Sequence, residues 1–293
     1  MKKRGIFLFG GYVCLLMGLT LFFCQAVKAE SNYILPDVKE VEATNSQADL
    51  DKLINDLPDS AHLEDPFLIL INSDNPSYED SAPELVYTAD GQPYSALIVE
   101  YFESLLQAAA EEGHIFSVVS GYRSMTEQEN NRQARINSYL SEGLSQEEAM
   151  YWTNLYYAPV DASEHLTGLA IDMLGSDWTS IGGGLSGDYG YYDSAVWLAD
   201  HAYLFGFILR YPEGKTDITG YNYEPWHIRY VGPDHAEYIH KHGITLEEYL
   251  SLINEKERLA QEELEKVKEE KRVKEETEKW IEEKSEQVNT ILF

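Results

Sequence analysis

Two phrases, SEHLTGLAID at 163–172 and EPWHIRY at 224–230, each carry a reactive side chain inside a stretch with strand periodicity. If Gly168 to Met173 is a strand, period-two alternation sends Leu169, Ile171 and Met173 to one face and Gly168, Ala170 and Asp172 to the other. The first face is core. The second is nearly bare apart from one carboxylate, which suits the floor of a cleft. The same rule from Trp226 to Tyr230 buries Trp226, Ile228 and Tyr230 and turns His227 and Arg229 the opposite way. Two adjacent strands then present Asp172 and His227 to one point.

With His165, three residues before Gly168, that point acquires two imidazoles and one carboxylate. This is the donor set of a catalytic zinc site, whose fourth tetrahedral position stays open for the attacking water. Glu224, three residues before His227 and across Pro225, can sit beside the metal without joining it and serve as the base. The remaining histidines, His62, His114, His201, His235, His240 and His242, lack such flanking agreement and read as surface or hydrogen-bonded residues. His240 and His242 lie in HKHG, the end of a helix stopped by Gly243.

Together with SGYR at 120–123, Gln128 and FGFILRYP at 205–212, the two phrases form SxHxxGxAxD and ExWHxRYVG. The chain resembles the VanY-like D-alanyl-D-alanine carboxypeptidases, zinc peptidases that also include L,D-carboxypeptidases of bacterial cell walls. The resemblance runs from about 66 to 253, although APVDA before Ser163 lacks a glycine often found there. It implies Zn2+ as cofactor, His165, Asp172 and His227 as ligands, Glu224 as base and Arg123 as a catalytic and substrate-binding cation. Tyr122, Gln128 and Ser163 are further candidates for substrate or supporting hydrogen bonds; Tyr122 is also readable as an ordinary strand aromatic, and Arg123 and Arg229 as ordinary surface cations. The implied substrate is a peptidoglycan stem peptide or its precursor, losing a terminal D-alanine. An L,D-carboxypeptidase acting on the tetrapeptide stem is the alternative, and a wall-binding protein without turnover is disfavoured by the intact base.

The first 29 residues combine a basic start, an apolar run from about 6 to 23 and small residues at Val27 and Ala29. They read as a signal peptide, or as a retained membrane anchor, which places the rest outside the cell or facing the wall. Both cysteines, Cys14 and Cys24, fall inside this segment. Export would therefore leave no disulfide, no thiolate ligand and no cysteine nucleophile. No Ser-x-x-Lys occurs, so a serine mechanism of the penicillin-binding type is unsupported. With 51 acidic against 22 basic residues and a formal charge of −29, the surface repels nucleic acid and anionic lipid. A substrate ending in a carboxylate must enter this negative field, so a local cation is required, and a bidentate arginine such as Arg123 fits best. Membrane contact is expected only through the N-terminal segment, and the protein is expected to be a monomer.

Residues 30–64 are polar, acidic and mostly aperiodic and read as a linker. The catalytic domain is expected over 65–253, with FLILIN and IFSVVS as strands and SALIVEYFESLLQAAAEEG as an amphipathic helix. Helices follow at about 126–141 and 145–156, the latter with Ser145 and Glu148 as a capping box; Thr245 opens another. The glycine- and aromatic-rich loop 175–193 is long enough to overhang the cleft. Helices mix with strands without regular alternation, so the fold class is α+β with a small, mainly antiparallel sheet. Residues 254–293 hold 13 acids and 9 bases without a heptad, and predict a charged tail that is either an exposed, frayed helix held by i to i+4 pairs or disordered.

Overall fold

The computed structural model describes residues 33–44, 49–77 and 82–291. Helices α1 (Val38–Thr44) and α2 (Leu50–Asn55) precede the hairpin of β1 (Leu85–Tyr87) and β2 (Pro93–Ser95). Then come α3 (Val99–Glu111), β3 (Phe116–Ser120), α4 (Met125–Ser141), α5 (Gln146–Asn154) and β4 (Ala170–Gly175). The chain continues through α6 (Asp193–His201), β5 (Phe207–Leu209), β6 (His227–Tyr230), α7 (Pro233–His242) and α8 (Leu246–Ile291). Four strands form one antiparallel sheet in the order β3-β4-β6-β5, as an α+β chain with a small antiparallel sheet requires.

Local chemistry sets most of the helix ends. Ser124 with Glu127, Ser145 with Glu148 and Thr245 with Glu248 each close a reciprocal capping box. Gly243 takes φ 60° and stops α7. One face of the sheet packs Ile171, Met173, Ile228 and Tyr230 against Phe102 and Leu105 of α3 and Leu198 of α6. Trp226 departs from the strand alternation and joins Leu174, Tyr189 and Ala195 in a separate small cluster. Gly168 also lies outside the strand, in the left-handed region at φ 68°, where it closes a 3-10 turn over Glu164–Thr167 before β4 begins at Ala170.

Two further expectations need correction. Residues 30–64 are not a linker where they are described: Val41, Leu53, Ile54, Leu57 and Ala61 are buried with Ile239 of α7 and Leu246, Leu250 and Ile253 of α8. The described residues up to 255 form one compact unit. The apolar side chains are spaced too irregularly over two short helices to give a periodic signal. FLILIN joins no ladder: it begins in a turn and a bend, and 69–71 have no regular secondary structure. Its Leu68 and Leu70 are core, yet the carbonyls of Phe67 and Ile69 accept bonds of 3.0 and 2.7 Å from the Arg229 side chain. A guanidinium has replaced the neighbouring strand.

From Leu259 to 285 the side chains of α8 are nearly all exposed, with pairs such as Lys268–Glu265 at 2.8 Å and Arg272–Glu276 at 2.9 Å. Such exposed pairs contribute only tenths of a kcal/mol each. Among the described residues no helix is long and apolar enough to cross a membrane. The expected signal or anchor, 1–29, lies outside the described residues.

Leu53 distinguishes packing from a linker, because it is fully buried. Leu53→Ala is expected to cost about 2–5 kcal/mol in urea unfolding of the whole chain. A change below about 0.5 kcal/mol, the level of a neutral surface site, would return 33–64 to linker status.

Candidate metal centre and cleft

The register of β4 and β6 sets Asp172 opposite His227, so the two side chains leave the sheet at one place. His165 arrives from the 3-10 turn, held from both sides by the SGYR segment. Its Nδ1 donates to the Gly121 carbonyl at 2.6 Å, and its own carbonyl accepts from the Arg123 amide at 3.1 Å. Gly121 must be glycine, because a Cβ there would collide with the Pro93 carbonyl oxygen of β2. The Nδ1 bond leaves Nε2 of His165 as the lone-pair nitrogen facing the sheet.

That Nε2 lies 3.2 Å from Asp172 Oδ2, and His227 Nδ1 lies 2.9 Å from Asp172 Oδ1. The imidazoles meet edge to face at 5.0 Å. One donor atom from each of the three residues lies within 4.8 Å of the others, and all three residues are buried. Burial and the nearby Arg123 push His165 down to about 4, so it is neutral. Burial opposes the charge on Asp172, but the two imidazoles outweigh it and hold the carboxyl well below its usual range. One neutral imidazole, one carboxylate and a second imidazole sharing their centre fit a divalent cation. With Nδ1 of His227 committed to that centre, its proton sits on Nε2, 3.6 Å from Glu164 Oε2. Neither of those two buried atoms has another hydrogen-bond partner among the described residues. A carboxylate backing a ligating histidine is the usual outer support of a metal site.

Glu164 is itself held in place by charge. Its Oε1 accepts from Arg210 Nε at 2.7 Å and from Arg229 Nη1 at 2.8 Å. Arg210 then forks onto Glu247 of α8 at 2.9 and 2.6 Å, and Asn72 donates to the same carboxylate at 3.2 Å. Arg229 is thus an internal tie and neither a surface cation nor a cleft residue. Sequence reading missed Glu164, Arg210 and Glu247. The available signal was an arginine in each of two strongly apolar strand phrases, FILRYP and WHIRYV, since buried guanidinium groups need buried anions.

The cluster floors a cavity of about 510 Å³. Glu224 lines it with Oε2 3.8 Å from His227 Nδ1, and burial pushes its carboxyl up to about 8. Arg123 lines it half-buried, with Nη1 donating to Ser120 Oγ at 3.0 Å and standing 3.6 Å from Asp172 Oδ2. Ser163 forms part of the wall, and Leu185, Ser186 and Gly187 bring the glycine-rich loop to the cleft. Gln128 is buried behind that wall, donating to the Ala158 carbonyl at 2.8 Å, and Tyr122 does not line the cavity. None of the other histidines joins the cluster; His201 stacks on Trp197 and His240 on Tyr203.

Residues 94–233 match the VanY D-alanyl-D-alanine carboxypeptidase family. The chain is 34% identical to a mutant of the vancomycin-resistance D,D-pentapeptidase VanY, from a VanB-type resistance cassette, solved in complex with Zn(II). The match covers 63% of this chain and 99% of that one, with a TM-score of 0.56. This chain belongs to the VanY family. A D-alanyl-D-alanine carboxypeptidase of Enterococcus faecalis is 35% identical over 184 residues, 63% of this chain and 65% of the relative's length. The solved LdcB LD-carboxypeptidase is 31% identical over 65% of this chain and 89% of its own, with a TM-score of 0.50.

Because Glu164 neutralises two buried guanidinium groups, Glu164→Gln is expected to destabilise the metal-free protein by about 3–5 kcal/mol in urea unfolding. A loss under about 1 kcal/mol would mean that the network is solvent-screened.

Proposed function

We propose that this protein is a zinc-dependent carboxypeptidase that removes the terminal D-alanine from peptidoglycan stem peptides or their precursors. The observation that carries the reading is the convergence of His165, Asp172 and His227 in a cleft that also holds the buried carboxyl of Glu224. A bound zinc ion supplies Lewis-acid polarisation of the scissile carbonyl and acidifies the attacking water.

The residues of the chain supply the rest. Glu224 receives the proton of the attacking water and delivers it to the departing amine. Burial raises its carboxyl to about 8, and a dication held by His165, Asp172 and His227 would favour the ionised form and lower that value, into the range in which an acid-base group works in both directions. Arg123 orients the substrate and offers guanidinium donors to the charge that develops on the carbonyl oxygen. Ser163 supplies a hydroxyl on the wall. Gln128 holds that wall from behind through the Ala158 carbonyl. The basic start and apolar run of the first 29 residues support export, so that the enzyme meets its substrate at the wall.

The names of the relatives divide between D,D- and L,D-specific enzymes, and mass spectrometry of pentapeptide and tetrapeptide stems incubated with the protein separates the two. Release of one alanine from the pentapeptide is the expected result, and cleavage of the tetrapeptide alone would establish the L,D reading. Glu224→Ala is expected to keep its zinc while losing on the order of 100-fold to 10,000-fold in rate. His165→Ala, Asp172→Ala and His227→Ala are expected to lose the metal as well. Near-normal turnover of Glu224→Ala would move the base to another group, and full zinc content in all three ligand variants would overturn the metal centre.

A further inference from the structure

The catalytic cavity is closed at one end and open at the other. Ser163, Tyr211, Tyr221, Glu224 and Trp226 on its inner wall are all buried, whereas Tyr156 is 39% and Leu185 40% exposed at the mouth. An enzyme that cuts at a chain end needs the closed end for the leaving residue, so the preceding peptide must run out through the mouth. There the cleft meets a second cavity of about 430 Å³, which shares Arg123, Arg135, Tyr157 and Leu185 with the first. No aspartate or glutamate lines this second cavity, in a chain with 51 acidic residues. Its lining carries two arginines with Ser120, Asn131 and Ser138 as polar company.

Arg135 is the cation placed for the outgoing chain. It belongs to α4, where its guanidinium lies 4.1 Å over the ring of Tyr139, one turn on, and Nη2 donates to the Tyr139 hydroxyl at 2.8 Å. Stacking and one hydrogen bond fix the plane of the group and leave most of its five N–H donors unused. Among the described residues it has no carboxylate within ion-pair distance. Arg123, by contrast, is already oriented towards Asp172 and the reaction centre.

We propose that Arg135, pre-set by Tyr139, forms a subsite for a carboxylate carried by the substrate upstream of the scissile bond, distinct from the terminal carboxylate. The inference rests on the carboxypeptidase reading and makes the cleft a reader of dianionic peptides. A planar, pre-oriented fork loses little freedom on meeting a carboxylate, and the absence of acidic neighbours removes the competing partner. The site is part-exposed, so its worth is at the lower end for a charged hydrogen bond, about tenfold in kcat/KM.

The test uses the full zinc-loaded protein and two peptides ending in D-Ala-D-Ala, one with a free carboxylate just upstream of that dipeptide and one with the carboxamide. Native enzyme is expected to prefer the acid by about tenfold, mainly through KM. Arg135→Gln is expected to bring the acid-to-amide ratio to within twofold of unity, and Arg135→Lys to retain part of it. No preference in the native enzyme would overturn the subsite, as would a preference that survives Arg135→Gln or an equal loss on both peptides. Failure of the native enzyme to release alanine from either peptide would overturn the D-alanyl-D-alanine reading on which the subsite rests, and the subsite with it.

Discussion

The structure turns on one buried carboxylate. Glu164 has a fully buried side chain and is flanked by two arginines whose side chains are also fully buried. An isolated charge at such depth is costly, and so is each guanidinium; together they are tolerable because every strong donor has an acceptor. The geometry this demands ties distant parts of the chain. Arg210 reaches Glu247 on α8, Arg229 reaches the carbonyls of 67 and 69, and Glu164 backs the ring of His227. The segment at 67–69, the start of α8 and a ligand of the metal centre are therefore fixed by the same charges. Adjusting any one of them means re-pairing the others.

This explains what was legible in the sequence and what was not. The site was legible because its constraints are local: period-two alternation placed Asp172 and His227 on one face, and the register of two neighbouring strands did the rest. Capping boxes at Ser124, Ser145 and Thr245 were legible because a cap is made within four residues. The misplaced elements depend on partners far away. FLILIN has the alternation of a strand, but its carbonyls bond to a side chain 160 residues later in the chain. The helices at 38–44 and 50–55 are too short to show a helical period, and their burial comes from α7 and α8. Nothing within either segment announces those partners.

Charge distribution gives the cleft its selectivity. The formal charge of −29 opposes entry of any anion, so the cations that face the cleft have an effect disproportionate to their number. Arg123 and Arg135 are its two lining arginines; Arg210 and Arg229 are fully occupied with Glu164 and Glu247. The fold has thus separated arginines that hold the protein together from arginines left with donors to spare, although all four lie in the catalytic half of the sequence. Burial decides the difference, since a guanidinium enclosed with carboxylates is spent on structure while one at a cavity mouth remains available.

The same logic divides the two carboxylates beside the reaction centre. Asp172 and Glu224 are buried to nearly the same extent, yet their protonation is pushed in opposite directions. Asp172 has an imidazole nitrogen at 2.9 Å, another at 3.2 Å and a guanidinium at 3.6 Å, enough to keep it ionised against the cost of burial. Glu224 has its nearest imidazole nitrogen at 3.8 Å, so desolvation prevails and the proton is retained up to about pH 8. Two acids set apart in this way take different work: the permanently charged one suits a ligand, and the one that can hold or release a proton suits transfer. His227 stands nearer to Asp172 than to Glu224, so its positioning by the Glu164 network bears on the chemistry as well as on the fold.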